Sequence, residues 1–342
     1  MIMNKLDITK SDNLNKQIIQ WGCQKLTSFG YVLKSDIPDN VLNTPWSYVV
    51  RFETSDGYIY LKHTPEPFAL EPIIIKILHD QFNAMVPTVI DRNAELNCFL
   101  MKDAGRPLRE ILKHKFDEAL LCRAIDQFTS LQIAVADHID VFLEIGIPDY
   151  RLDRLPDLYK NLISQKDLLI SEGISEIEIN KLKSLLPKVS SLCKKLSGYP
   201  IKQTIVQPDF NDNNTLIDDI SQDITIIDLG EIVISHPFFS ILNCLQQIKK
   251  HHGLTVKDDL YLRIKDACFK NYINFFESKE HLSDAFATAQ SLCLVYGISY
   301  QYRFMIACGK EKLMSFQHWK LGDLLKEFIT VFIDNKNENF NF

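Results

Sequence analysis

Hydrophobic and polar positions alternate with two different periods along this chain, and the change of period divides it. Apolar residues recur at helical spacing in NKQIIQWGCQKLTSFGY (15–31), which predicts a first helix. In WSYVVRFETSDGYIYLK (46–62), two β-rich runs flank Ser55-Asp56-Gly57, and an Asp-Gly step between such runs predicts a hairpin. FALEPIIIKILHDQF (68–82) returns to helical spacing, with Pro72 tolerated in the first turn only. PTVIDRNAELNCFLMKDAG (87–105) reads as two further strands. The first hundred or so residues are therefore a small sheet crossed by a helix.

Beyond that point the period is mainly helical, over 107–138, 155–172, 175–197, 237–252, 257–279, 281–295 and 298–333. The interruption is 203–234, where QTIV, NTLID and DITIIDL read as short strands around a polar loop. Pro148 and Pro156 mark a connection between helices, and the polar end NKNENFNF (335–342) is expected to fray. This organisation implies an α+β chain of two lobes, 1–103 and 104–342, the second mostly helical.

Composition narrows the function classes. A chain of 342 residues with 46% hydrophobic and 24% charged residues can bury a large core. A net charge of −6 argues against a nucleic-acid partner, which needs a basic face. The eight cysteines are scattered without a CxxC pair, the pattern of reduced thiols in a cytoplasmic protein. No HExxH spacing, signal-peptide core or membrane-length apolar run occurs, so neither a zinc enzyme nor a membrane partner is expected.

The chemistry concentrates in VQPDFNDNNTLID (206–218). As a calcium loop this stretch fails, because Asn214 and Ile220 fall where a glycine and a bidentate glutamate are needed. A solvated Asx turn is the plain alternative for an isolated D-x-x-x-x-N. Asp209, Asn214 and Asp228, however, match a phosphoryl-transfer template: a loop Asp, an Asn five residues on, and a second Asp at a strand end. An Asp can accept the proton of an attacking hydroxyl, and a hard cation takes oxygen from a carboxylate and an amide. A hairpin turning near Asp219 to Gln222 would return Asp228 beside Asn214. Lys62 at the end of a strand and Glu71 at the next helix could supply the template's phosphate-binding lysine and its partner, with Glu66 as a fallback. Singly, each reads as a surface charge or a helix cap. CFLMKDAG (98–105) resembles a strand entering a hinge, where backbone groups of Met101 and Asp103 would meet adenine.

QPDFNDNN with IIDLGE and SHPFFSI resembles the aminoglycoside phosphotransferase and choline-kinase-like family, whose pattern is approximately HGDLHxGN followed by IDWGD. PWSYVVRFETSDGYIYLK, FALEP, FLMKDAG and IPDYRLDRLP extend the likeness over about 43–245. The resemblance implies a bilobal protein-kinase-like fold and ATP-dependent (alternatively GTP-dependent) phosphorylation of a small-molecule hydroxyl. Asp209 would be the base, Asn214 and Asp228 the Mg²⁺ ligands, and Lys62 the phosphate lysine. Gln207, Asn211, Asn213 and Leu229 replace the family's two histidines, glycine and tryptophan, and the loop NTPWS (43–47) has no glycine. A nucleotide-binding regulatory module without turnover is the alternative those departures favour.

Asp228 is followed only by LGEIVIS before His236-Pro237 and a helix, leaving no room for a protein kinase's activation segment. An enclosed small substrate suits that arrangement. His236 is expected to be structural, hydrogen-bonded near the metal loop. Trp319, His251 and His252 are aromatic residues that either line an acceptor pocket or belong to the core.

Overall fold

Alternating burial along three strands decides how the first third of the chain packs. The computed structural model describes residues 5–316 and 320–333; Trp319 and the tail 335–342 lie outside them. The first elements are α1 (Lys5–Ser28), β1 (Asp39–Asn43), β2 (Tyr48–Thr54), β3 (Gly57–His63), a 3₁₀ turn (Glu66–Phe68), α2 (Glu71–Phe82), β4 (Val89–Asn93) and β5 (Cys98–Lys102). Their strands form one antiparallel sheet in the order β1-β2-β3-β5-β4. Val50 and Phe52, Ile59 and Leu61, and Cys98 and Leu100 all face one side, where they pack with Ile18 and Leu26 of α1. The intervening Lys62 and Phe99 are cross-strand partners and therefore face the other side, towards α2. Phe99 joins Ile74, Ile75 and Leu78 of α2 in the second, larger core.

That larger core continues through the rest of the chain: β6 (Arg106–Pro107), α3 (Leu108–His114), α4 (Glu118–Val135), α5 (Asp140–Glu144), α6 (Leu155–Ile163), α7 (Lys166–Ser171), α8 (Glu176–Ser197), β7 (Thr204–Val206), β8 (Thr215–Ile217), β9 (Ile224–Ile226), β10 (Val233–Ser235), α9 (Phe238–His252), α10 (Asp259–Phe269), α11 (Lys279–Cys308), α12 (Lys310–Met314) and α13 (Leu321–Phe332). The architecture is α+β, a small β-rich lobe on a mostly helical one. Two small sheets, β6-β8-β9 and β7-β10, carry the polar loop between them. Gly105 lets the crossing segment lie against β8, since a Cβ there would sit 2.1 Å from the Ile217 carbonyl oxygen. Among the described residues no helix is long and apolar enough to cross a membrane.

Several boundaries differ from the periodicity. The first helix begins at Lys5 rather than at 15, and the edge strand β1, exposed along its whole length, gave no alternating signal. The stretch 107–138 is two main helices, because Lys115 is extended and the Asp117 side chain caps α4 by accepting the Leu120 N–H at 2.9 Å. The stretches 155–172 and 257–279 likewise break, the second into α10 and a 3₁₀ turn (Ile273–Phe275). Conversely, α11 runs unbroken through Gly297, where a gap was expected. Burial of Val295, Tyr296, Ile298 and Ser299 outweighs the roughly 1 kcal/mol that a helical glycine costs.

Candidate active site

The loop between β7 and β8 ties itself around one carboxylate. Asn214 Nδ2 donates to Asp209 Oδ2 at 2.9 Å and to the Asp209 carbonyl at 2.8 Å. Asn211 Nδ2 donates to Asp209 Oδ1 and to the same carbonyl, both at 2.8 Å. Asp209 is exposed while its holders Asn211 and Asn214 are buried. The β8–β9 hairpin then returns the chain: Thr215 pairs with Ile226, and the Ile227 N–H reaches the Asn214 carbonyl at 3.0 Å. Gln207 completes the tie, its Nε2 donating to the carbonyls of Ile227 (2.7 Å) and Asp228 (3.1 Å).

Asp228 takes a left-handed conformation, φ 62°, which costs a non-glycine residue on the order of 1–3 kcal/mol and aims the side chain out of the strand direction. Its Oδ1 accepts from Lys62 Nζ at 2.6 Å. Lys62 Nζ also lies 2.6 Å from Glu71 Oε2, an ion-pair contact, while Glu71 Oε1 accepts the Leu229 N–H at 3.1 Å. Glu71 is the first residue of α2 and Pro72 the second, so the proline leaves the glutamate free to point back at β3. Gly230 permits this approach: a Cβ there would stand 2.8 Å from the Phe68 carbonyl oxygen. Two neighbouring elements, β3 and α2, thus meet a turn 166 residues beyond Lys62 at one ammonium group.

The charges settle accordingly. Burial pulls the Lys62 pKa down, but Asp228 and Glu71 together overcome it and leave it raised, so the ammonium form is held. Burial raises the Glu71 carboxyl against the pull of Lys62. Although Asp209 keeps an exposed edge, crowding of its carboxyl away from water and then the charge of Asp228 push it up to about 6. Glu231 rises to about 8, first through burial and then through Asp228, while the Tyr300 hydroxyl donates to it.

Met101 and Asp103 lie apart from this group. Met101 is half-buried within β5 between Tyr60 and Val89. The Asp103 N–H donates to the Tyr58 carbonyl at 3.2 Å and its Oδ1 accepts from Gly105 at 3.0 Å. An adenine edge at Asp103 would compete with the Tyr58 bond. The β1–β2 turn is similarly occupied: Ser47 N–H donates to Thr44 Oγ1 at 3.1 Å, and Thr44 N–H to the Ser47 carbonyl at 2.9 Å.

No known sequence family and no characterised relative matches the chain. Its structure is nevertheless similar to a gentamicin complex of aminoglycoside phosphotransferase APH(2'')-IIa, with a TM-score of 0.57 at 15% identity over 96% of this chain and 97% of that one. It is similar also to ADP-bound APH(2'')-Ib (TM-score 0.55, 15% identity, 94% and 98% covered). Macrolide 2'-phosphotransferase MphH from Brachybacterium faecium matches at a TM-score of 0.56 and 12% identity, with 92% and 98% covered. The fold is that of the aminoglycoside phosphotransferases.

Within this phosphotransferase fold, His236 is structural as expected but with a different partner, and His252 takes the buried alternative. His236 is buried, but it is the Phe238 N–H that meets its Nδ1 (3.3 Å), not the metal loop, and burial lowers its pKa to about 3. His252 Nε2 is 2.7 Å from Asp212 Oδ2 with 4% of the side chain exposed. His251 meets Gln247 one turn back on α9. Sequence reading overlooked Glu231, although the acid ending IIDLGE was its signal, and Arg109, for which no local signal exists. Among the described residues no group of three His, Cys, Asp or Glu could hold a metal unaided. The donor set still suits a hard cation that draws part of its shell from phosphate: Asn214 turns Nδ2 to Asp209 and keeps Oδ1 free, and Lys62 engages only Oδ1 of Asp228.

Proposed function

We propose that the protein is a phosphotransferase that moves the γ-phosphoryl group of ATP, or GTP, to the hydroxyl of a small molecule. The observation that carries this reading is the meeting of Lys62 and Glu71, from neighbouring elements of one lobe, with Asp228 of the other, beside a loop built around Asp209 and Asn214. The fold likeness to nucleotide-bound and antibiotic-bound phosphotransferases supports it. Lobes 1–103 and 104–342 would enclose the nucleotide, with Met101 and Asp103 at the adenine edge.

In this mechanism Asp209 accepts the acceptor's hydroxyl proton as the oxygen–phosphorus bond forms and the bond to the departing ADP oxygen breaks. Its two amide donors fix which oxygen lobe faces the acceptor. Asn214 and Asp228 would hold Mg²⁺, which supplies charge neutralisation at the phosphates when bound. Lys62, oriented by Glu71, has a further N–H for a phosphate oxygen. Positioning and charge stabilisation do most of the work in such a transfer. The eight unpaired cysteines support a reducing compartment, the cytoplasm. A segment of seven residues (229–235) between Asp228 and His236 supports a small acceptor over a peptide.

One observation favours a second reading, a nucleotide-binding module without turnover. The N–H groups of Thr44 and Ser47 are spent inside their own turn and are not offered to phosphate. The test is thermal unfolding with ATP and GTP, with and without Mg²⁺, for wild type and Asp228→Ala, followed by ADP release in an acceptor screen. Mg²⁺-dependent stabilisation that Asp228→Ala abolishes, with turnover that Asp209→Asn abolishes, supports the enzyme. Stabilisation without turnover leaves the binding module, and no stabilisation removes both.

A further inference from the structure

Behind the catalytic loop lies a buried set of charges that the reaction above does not use. Arg109, on the first turn of α3, has 14% of its side chain exposed, and Asp212 has none. The guanidinium spans both residues: Nε donates to Asp212 Oδ1 at 2.9 Å, and Nη2, itself 2.8 Å from that oxygen, donates to Asn211 Oδ1 at 2.9 Å. The Arg109 N–H also meets the Asp212 carbonyl at 3.0 Å. His252, the last residue of α9, holds the other Asp212 oxygen at 2.7 Å, and its ring meets Phe116 edge to face.

The consequence lies at Asn211. Its Oδ1 receives two donors, Arg109 Nη2 and the Asn213 N–H at 2.7 Å, so the amide cannot turn over without burying donor against donor. Nδ2 is thereby committed to Asp209 Oδ1. Since Asn214 holds Oδ2, both oxygens of the base are fixed, one of them through Asn211 by Arg109. Burying Arg109 and Asp212 sacrifices their hydration, a loss that an apolar contact between α3 and the loop would avoid. A hydrogen-bonded pair at that cost makes sense where direction matters.

We propose that Arg109, braced by Asp212 and His252, is a positioning residue that sets the Asp209 carboxylate through Asn211. The inference rests on the phosphotransfer reading for its effect on rate, but not for the geometry. Two readouts separate these. The first needs no acceptor: the side-chain amide protons of Asn211, identified as the ¹⁵N signal pair lost in Asn211→Ala, should exchange slowly in the wild type and at least tenfold faster in Arg109→Met. The second is ADP release with water as acceptor. Arg109→Met should lower kcat by about 10- to 100-fold, with the KM for Mg–ATP within about twofold, as expected for misplacement by a fraction of an ångström. The double variant with Asn211→Ala should be no slower than Asn211→Ala alone. Arg109→Lys keeps the charge without the fork and should fall between; it serves as the probe if Arg109→Met does not fold. Unchanged exchange at Asn211, or losses that multiply in the double variant, would overturn the proposal. Altered exchange in a protein without any turnover would leave the positioning intact and remove the phosphotransfer reading instead.

Discussion

Replacing Glu71 by alanine tests whether the lysine and the two carboxylates act as one unit. Lys62 and Glu71 have 7% and 2% of their side chains exposed, so each is largely without water. Removing one partner of a buried pair costs about 3–5 kcal/mol. Asp228 stays 2.6 Å from the ammonium and, at 35% exposed, retains part of the attraction. The Leu229 N–H, buried and bound to Glu71 Oε1, meanwhile loses its acceptor, worth about 1–3 kcal/mol. Partial compensation against this added loss leaves a net cost of about 3 kcal/mol, or a fall in Tm of about 4 °C for a chain of this size. Glu66, five residues earlier and exposed on the 3₁₀ turn, is the control, and Glu66→Ala should stay within about 0.5 kcal/mol. Urea and thermal unfolding followed by circular dichroism read both variants. Equal small effects at the two positions would refute the reasoning, since the ammonium would then be held by Asp228 alone.

Asp209→Asn should reduce turnover by about 10²- to 10⁴-fold, the usual worth of a positioned base, while Mg–ATP still raises the Tm. Turnover in the wild type should climb with pH through about 6 as Asp209 loses its proton, read as an acid limb in kcat/KM. The same group has a stability signature. Its folded value lies above the ordinary 3.8, so the native state binds the proton more tightly and the carboxylate destabilises it above about pH 6. The Tm of Asp209→Asn relative to wild type should therefore shift in the variant's favour as pH rises from 4 to 7.5, on top of a fixed loss from setting the new amide N–H against the donors of Asn211 and Asn214. Gly230→Ala should cost about 1–3 kcal/mol, because its Cβ would press the Phe68 carbonyl, and weaken nucleotide binding by shifting Glu71.

The parts of the fold legible in the sequence are those with one buried face. The β2–β3 hairpin, α2 and α9 each carry an uninterrupted pattern over a full element, and the structure repeats them within about three residues. What escaped had no such pattern. β1 is exposed throughout, while β10 is three residues long and buried throughout, so neither shows a period. Gly297 carried a local signal that tertiary packing overruled, and Asp117 carried a capping signal hidden in a polar run.

The candidate site divides along the same line, between what a short motif holds and what the fold brings to it. Asp209, Asn214 and Asp228 are legible because a loop and one hairpin suffice to join them, and the Ile227–Asn214 bond is the closure the spacing demands. Lys62 meets Asp228 across 166 residues and Arg109 meets Asp212 across 103, separations over which spacing carries no information. The residues that depart from the family pattern are instructive here. Gln207 binds the carbonyls of Ile227 and Asp228, Asn211 binds Asp209 and receives Arg109, and Leu229 is fully buried with its N–H on Glu71. Gln207 and Asn211 thus keep side-chain bonds to the Asp228 turn and to the loop, and the Leu229 N–H ties that turn to Glu71. A chain drifting free of its chemistry would have no reason to keep those bonds, nor to hold Asp228 at a strained φ of 62° against a buried lysine.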